Sequence, residues 1–342
     1  MTRMVSFRRP IAAPRVGACL LGGLLLLGAC SSNTGGTAAP STTAAADDGL
    51  HAQVASFDLA VGRPARIIVG VESPDQRLLV FGTVTFRFAY LGTKESPLAS
   101  PAPGPPVTAT YLAVPGTAPA PEATSTPQLV SGSQARGVYA ATVEFNWAGF
   151  WQVEVTAEVE GETRRATSAF QVLERHMVVA PGAMAPRTEN LTRDAPPDVP
   201  RAAIDSRAGR DGATPIPDPE LHATTVAAAL AAGRPVVLAV STPVYCTSRF
   251  CGPVTDMVQE LSHVYDDRAT FVHIEVYRDF QNTVINRAAA EWIFPEGSPG
   301  LNEPWVFVVG ADGVVTARFD NVATRAELEP LLQALPVLPP PA

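Results

Sequence analysis

Between His51 and Glu174 apolar side chains recur at close to every second position, and that spacing constrains the fold more than any other feature of the chain. The pattern runs through Val54, Phe57 and Leu59, then Ile67, Val69 and Val71, then Val84, Phe86 and Phe88. It returns in Tyr139, Ala141, Val143 and Phe145, and in Trp151, Val153, Val155 and Ala157. Successive side chains of an extended strand point to opposite faces, so each run makes a strand with one apolar face. About seven such strands bury those faces by stacking as two sheets, which predicts an all-β sandwich over residues 51–175. Residues 96–128 interrupt it with nine prolines. Proline has no N–H for a ladder, so this insertion reads as an exposed loop.

The segment ahead of the strands is of a different kind. Arg3, Arg8, Arg9 and Arg15 precede an apolar run from Val16 to Ala29, too short for the ~20 residues that span a bilayer. A charged start and a short apolar run are the parts of a secretory signal peptide, here residues 1–29. Leu27-Gly28-Ala29-Cys30-Ser31 resembles the lipobox of bacterial lipoproteins. The resemblance implies that Cys30 becomes the mature N-terminus and carries the lipid, with palmitate among its acyl chains. That would leave the protein anchored extracytoplasmically to the cell membrane. Cys19 lies within the removed peptide. Residues 30–50 are small and polar and read as a flexible stalk.

Four of the 25 basic residues and none of the 33 acidic ones lie in the first 30, so the formal charge deepens from −8 for the whole chain to −12 for the remainder. An acidic chain without a basic stripe repels phosphate backbones, which excludes nucleic acid as a partner. No phosphate-binding glycine loop, serine nucleophile elbow or zinc spacing occurs, and no small-molecule cofactor or metal is expected. Within the strand region, the stretch from Gly137 to Val155 resembles the last hairpin of bacterial immunoglobulin-like domains. It implies that two long strands are joined by a glycine turn.

A proline- and arginine-rich linker, 176–219, separates the sandwich from a segment of different rhythm, 220–337. Ala223–Ala232 reads as a helix, Pro235–Ser241 as a buried strand, Pro253–Tyr265 as a helix and Thr270–Tyr277 as a strand. A helical stretch near Thr283–Trp292 follows. Trp305–Val309 and Val314–Phe319 then form a hairpin around Ala311-Asp312-Gly313, and Arg325–Leu335 closes as an amphipathic helix.

Tyr245-Cys246-Thr-Ser-Arg-Phe-Cys251-Gly252-Pro253-Val254 follows the first buried strand and opens a helix. It resembles the thioredoxin active-site turn, and the resemblance implies a two-domain chain: an N-terminal immunoglobulin-like sandwich and a C-terminal α/β thioredoxin-like fold. The sequence departs from that family. Val254 stands where the second cysteine of Cys-Gly-Pro-Cys would be, so dithiol chemistry would run between Cys251, as attacking thiol, and Cys246, as its resolving partner. Five residues of continuous helix rise ~7.5 Å, and a disulfide needs Cα atoms within ~7 Å; Cys246 must therefore sit in a loop that curls back. Pro304, in Glu303-Pro304-Trp305, matches the proline that helps that family hold substrate backbone. Glu303 would bring a negative charge beside the pair and disfavour a thiolate.

Two functions follow from these residues. One is thiol–disulfide exchange on secreted or membrane-associated proteins. The other is a binding or structural lipoprotein in which Cys246–Cys251 is only a staple, the ordinary fate of paired cysteines outside the cytoplasm. Copper handling would want a histidine near the cysteines. His263 and His273 are available, but His273 reads as an ordinary strand residue and His222 as a cap near a helix start. Trp292 and Trp305 bracket a loop and read as core, Glu275 and Glu291 as solvated charges, and Asn190-Leu-Thr192 as a chance glycosylation triplet.

Overall fold

The computed structural model describes residues 49–117, 126–209, 215–248, 250–294 and 302–338. The signal peptide, Cys30 with its lipobox, most of the stalk and part of the proline-rich insertion lie outside them.

Nine strands form one hydrogen-bonded sheet. In chain order they are β1 (His51–Val54), β2 (Pro64–Glu72), β3 (Leu78–Val80), β4 (Thr83–Gly92), β5 (Val107–Ala113), β6 (Gln128–Val130), β7 (Gly137–Glu144), β8 (Gly149–Val159) and β9 (Glu162–Val172). Their spatial order is β6-β3-β2-β7-β5-β4-β8-β9 with β1 on β2, and every pairing is antiparallel. β1 also meets the far end of this path, where the Val54 N–H donates to Ser168 Oγ at 3.4 Å. The alternating residues Ile67, Val69, Phe86, Phe88, Tyr139, Val153 and Val155 share one buried core.

Two expectations for this region are overturned. β7 and β8 do not form a hairpin: β7 pairs with β2 and β5, and β8 pairs with β4 and β9. The hairpin is β8–β9, turned by Glu160 and Gly161, both at positive φ (55° and 83°), the geometry of a two-residue turn that follows strand twist. The proline-rich insertion holds a strand as well. β5 lies between β7 and β4 because Val107-Thr-Ala-Thr-Tyr-Leu-Ala contains no proline and buries Ala109.

The stretch read as a linker is largely packed. The Ala185 N–H donates to the Gly313 carbonyl, Asn190 is buried and accepts from the Val226 N–H at 2.8 Å, and of two short 3-10 turns, Arg201–Ala203 and Ser206–Ala208, the second is capped by buried Asp205 and opened by buried Ser206. Polar side chains that look solvated in the sequence instead satisfy backbone groups at helix and strand ends.

Beyond it, β10 (Val236–Ser241), β11 (Thr270–Glu275), β14 (Trp305–Val309) and β15 (Val315–Asp320) form a sheet ordered β11-β10-β14-β15, preceded by α1 (Val226–Ala231). α2 (Cys251–Tyr265) packs Val254, Met257, Val258 and Leu261 onto Val237 and Ala239. α3 (Arg287–Ile293) buries Trp292 against the core that holds Trp305 and Phe307, and α4 (Arg325–Gln333) adds Leu328 and Leu332 to the α2 side. A small ladder, β12 (Tyr277–Asp279) with β13 (Val284–Ile285), stands where the helix expected from Thr283 would begin.

The expected fold class does not stand. All described residues fall within one compact unit, 40–342, rather than two domains. The structure is mostly β, 37% strand against 16% helix in four helices among the described residues, and its pairings are antiparallel except β10 with β11. A C-terminal α/β thioredoxin fold is not supported. Burial of charged side chains joins the nine-stranded sheet to the segment after it. Arg66 of β2 reaches Glu327 at 2.7 Å and the Val322 carbonyl at 2.6 Å, and Arg318 of β15 reaches Asp58 at 2.8 Å.

Candidate functional site

The centre of interest is built by one strand end and one helix start. β10 is buried along its whole length and stops at Ser241; the chain then runs through Thr242 and Pro243 into the loop that leads to α2. Cys251 is the first residue of that helix, and Pro253 follows in the first turn, where a missing N–H leaves nothing unpaired. No acidic residue occupies the first turn, so the positive end of the helix dipole faces the cysteine uncompensated.

Cys246 and Cys251 form a disulfide with their Cα atoms 6.0 Å apart, so the intervening loop does curl back. The two partners differ in exposure. Cys251 is completely buried, whereas Cys246 is half-buried and its Sγ accepts a hydrogen bond from Ser248 Oγ at 3.2 Å. The Glu303–Pro304 peptide bond is cis, and Pro304 is buried at the entrance to β14, its carbonyl accepting from the Asn321 N–H.

Glu303 is brought to the same place. One of its carboxyl oxygens lies within 4.8 Å of both sulfurs, and its Oε2 is buried without a hydrogen-bond partner. Burial, reinforced by repulsion from Glu275, pushes this carboxyl up to about 8, partly offset by the Thr242 backbone. Glu275 ends β11, buried, and accepts from the Ser206 N–H at 2.8 Å and the Tyr277 N–H at 3.3 Å. Burial raises it to about 7 despite those bonds. The expected negative charge beside the cysteines is therefore replaced at neutral pH by a protonated Glu303. Glu275 is not a solvated charge, and it neighbours Glu303 rather than Glu291, which bonds Thr188.

Behind the disulfide runs a buried polar chain. The Cys251 carbonyl accepts from Thr255 Oγ1 at 2.8 Å, Thr255 meets Ser241 Oγ at 2.7 Å, and Ser241 Oγ meets His273 Nε2 at 3.1 Å. His273 faces Asp205 Oδ2 at 3.6 Å, and His222 Nε2 lies 3.3 Å from the same oxygen. Burial lowers His273 to about 3, so its ring is neutral. Burial opposes the charge on Asp205, but His222 and Arg207 hold its carboxyl well below the usual range. Asp205, His222 and His273 have the donor types of a metal site, whereas Cys246 and Cys251, which converge with Glu303, are tied in a disulfide and present no thiolate to a metal. In the first cluster Arg207 Nη2, 2.7 Å from Asp205 Oδ2, already neutralises the carboxylate. His222 is thus a network member and not a cap. Asp205 gives no signal in the sequence, since it sits in the stretch that reads as linker.

An aromatic shelf flanks Cys246. Tyr245 stacks on Phe280 with ring centroids 3.9 Å apart and planes 3° from parallel, and Tyr277 meets Phe280 edge-on at 5.0 Å. These rings, with Pro200 and Ala202, line a groove of about 190 Å³, and Val244 beside them is exposed. A larger cavity of about 510 Å³ opens elsewhere, between β2, β15 and α4, but Arg66 is paired there with Asp320 and Glu327, Arg318 with Asp58, and Arg63 donates to the Pro181 carbonyl. Trp292 and Trp305, 1% and 2% exposed, are core residues.

Comparison with known proteins adds little. No family model matches the chain, and no curated protein matches it. Among solved structures, the outer membrane decaheme cytochrome OmcA aligns with 55% of this chain and 33% of its own length, at 12% identity and a TM-score of 0.19. The match thus spans a third of that protein, and a likeness this slight carries no argument.

Proposed function

We propose that this chain is an extracytoplasmic lipoprotein, held to the membrane through Cys30, whose Cys246–Cys251 pair exchanges disulfides with secreted or membrane-associated proteins. The observation that carries the reading is the asymmetry of the pair: Cys246 half-buried beside an aromatic groove, Cys251 buried at the start of a 15-residue helix. An incoming thiolate reaches Cys246, and the sulfur it displaces is stabilised by the helix N-terminus. This reverses the roles implied by the sequence resemblance, making Cys246 the exchanging sulfur and Cys251 the resolving one. A bridge separated by only five residues closes so short a loop that its entropic contribution to stability is about 2 kcal/mol, less than longer loops give.

Mixed-disulfide trapping tests the reading. In cells, Cys251→Ser leaves Cys246 able to capture a partner that cannot be released, giving reductant-sensitive adducts, while Cys246→Ser gives none. Adducts with neither variant would sink the proposal. The complete burial of Cys251 also suits a staple in a purely structural or binding lipoprotein, and the reduction potential separates the two. A value between about −120 and −270 mV fits exchange, and one below about −300 mV fits a staple.

A further inference from the structure

We propose that Glu303 is the proton donor and acceptor for Cys251 during exchange, a role that rests on the exchange reading above. A carboxyl oxygen of Glu303 lies within 4.8 Å of both sulfurs, and its Oε2 is buried with no hydrogen-bond partner. An unpartnered polar atom in a dry place is costly, and the carboxyl that carries it stands within 4.8 Å of both sulfurs of a bond whose cleavage creates a charge. The disulfide form offers that oxygen nothing to bond. A cleaved pair offers a thiol or a thiolate.

The step balances as follows. A thiolate of a dithiol protein attacks Cys246 Sγ, forming a mixed disulfide and breaking the Cys246–Cys251 bond. The bonding electron pair leaves on Cys251 Sγ, which takes the proton of the Glu303 carboxyl. The second thiol of the substrate, losing its proton to solvent, attacks its own sulfur in the mixed disulfide and releases Cys246 as a thiolate. The substrate is oxidised by two electrons and the pair reduced by two. Run backward, the Glu303 carboxylate takes the Cys251 proton and frees the thiolate that resolves the mixed disulfide.

Without a nearby acid, the displaced sulfur would become a fully buried anion beside another buried acid, Glu275. Among the described residues, Glu275 from the end of β11 and Tyr277 from β12 are the titratable groups that interact with Glu303, and repulsion from the Glu275 carboxylate helps to hold the proton on Glu303. The raised affinity for a proton is what a donor working near pH 7 needs.

The test is reduction of the disulfide in the full chain by dithiothreitol, with rates divided by the dithiothreitol thiolate concentration at each pH. In the wild type the normalised rate should fall above about pH 8, as Glu303 loses its proton. Glu303→Gln should remove that inflection and lower the rate at pH 7 by roughly 10²-fold. Glu275→Gln, which removes the repelling charge and leaves Glu303 in place, should move the inflection to lower pH. A profile for Glu303→Gln that superimposes on the wild type, with both variants folded, overturns the role of Glu303, and if Cys251→Ser still traps partners the exchange reading survives that loss. A chain in which Cys251→Ser traps nothing overturns both.

Discussion

Arg318 Nη1 lies 2.8 Å from Asp58 Oδ2, with the two side chains only 10% and 3% exposed. The guanidinium also donates to the carbonyls of Asp58, Val178 and Val179, so the ion pair is fully bonded and ties β15 to the loop ahead of β2. Burial opposes the charge on Asp58, but His176 and Arg318 together hold its carboxyl below its ordinary value of 3.8. Removing the cation leaves a buried charge uncompensated, which typically costs about 3–5 kcal/mol. Arg318→Met should therefore lower the denaturation free energy by that amount at pH 7. A carboxyl held low contributes stability above its unfolded pKa that is lost as pH falls through its folded one. The gap between wild type and Arg318→Met in urea titrations should accordingly narrow below about pH 4.

Glu303 and Glu275 make the opposite prediction. Their carboxyls titrate at about 8 and about 7 in the fold, against 4.5 when free. Acids raised in this way favour the folded state below the unfolded pKa, and that contribution disappears as pH rises through the folded values. The unfolding free energy of the wild type should decline from about pH 5 to pH 8 by a few kcal/mol. Glu303→Gln should flatten the decline, and an unchanged slope would mean that some other group is responsible.

Asp205 and Asp218 both bind Arg207, at 2.7 and 2.6 Å, but their side chains are 0% and 21% exposed. Asp205 also holds His222 and His273 in register. Asp205→Ala should cost about 3 kcal/mol or more, whereas Asp218→Ala should cost under about 1 kcal/mol, as partly solvated pairs do. Thermal melts of the two variants side by side give the comparison, and equal losses would show that burial does not govern this network.

Most of the strands were legible where alternation was local, though the run Val54, Phe57 and Leu59 failed: β1 ends at Val54, and Phe57 and Leu59 lie in the loop before β2. Val84, Phe86 and Phe88 share a face as their spacing requires, and the Asp312-Gly313 turn joins β14 to β15. Which strand pairs with which was not, because partner choice depends on contacts far apart in sequence. Tyr139 reaches Val69 across one ladder and Tyr111 across the other, and nothing near Tyr139 records either. At the site, the cysteines and Pro304 were picked out only through the resemblance of residues 245–254 and 303–305 to the thioredoxin motifs. Glu275, Glu303 and Asp205 were read as charges or passed over, since burial decides their protonation and burial is a property of the assembled fold.

The Tyr245–Phe280 stack bears on how a protein dithiol would find Cys246. Phe280 is 40% exposed although stacked, and a groove that sets aromatic rings beside the polar side chains of Arg278, Asp279 and Gln281 can bind extended chain without demanding a sequence. It touches neither sulfur in the reaction proposed above, so its loss should weaken encounter and leave the chemistry alone. Phe280→Ala should raise KM for a reduced protein substrate several-fold and leave the rate with dithiothreitol, which needs no shelf, within about twofold of wild type. If both rates fall together, the shelf is supporting the Cys246 loop rather than receiving substrate. If neither moves, the groove lined by Tyr245 and Phe280 is not where partners dock.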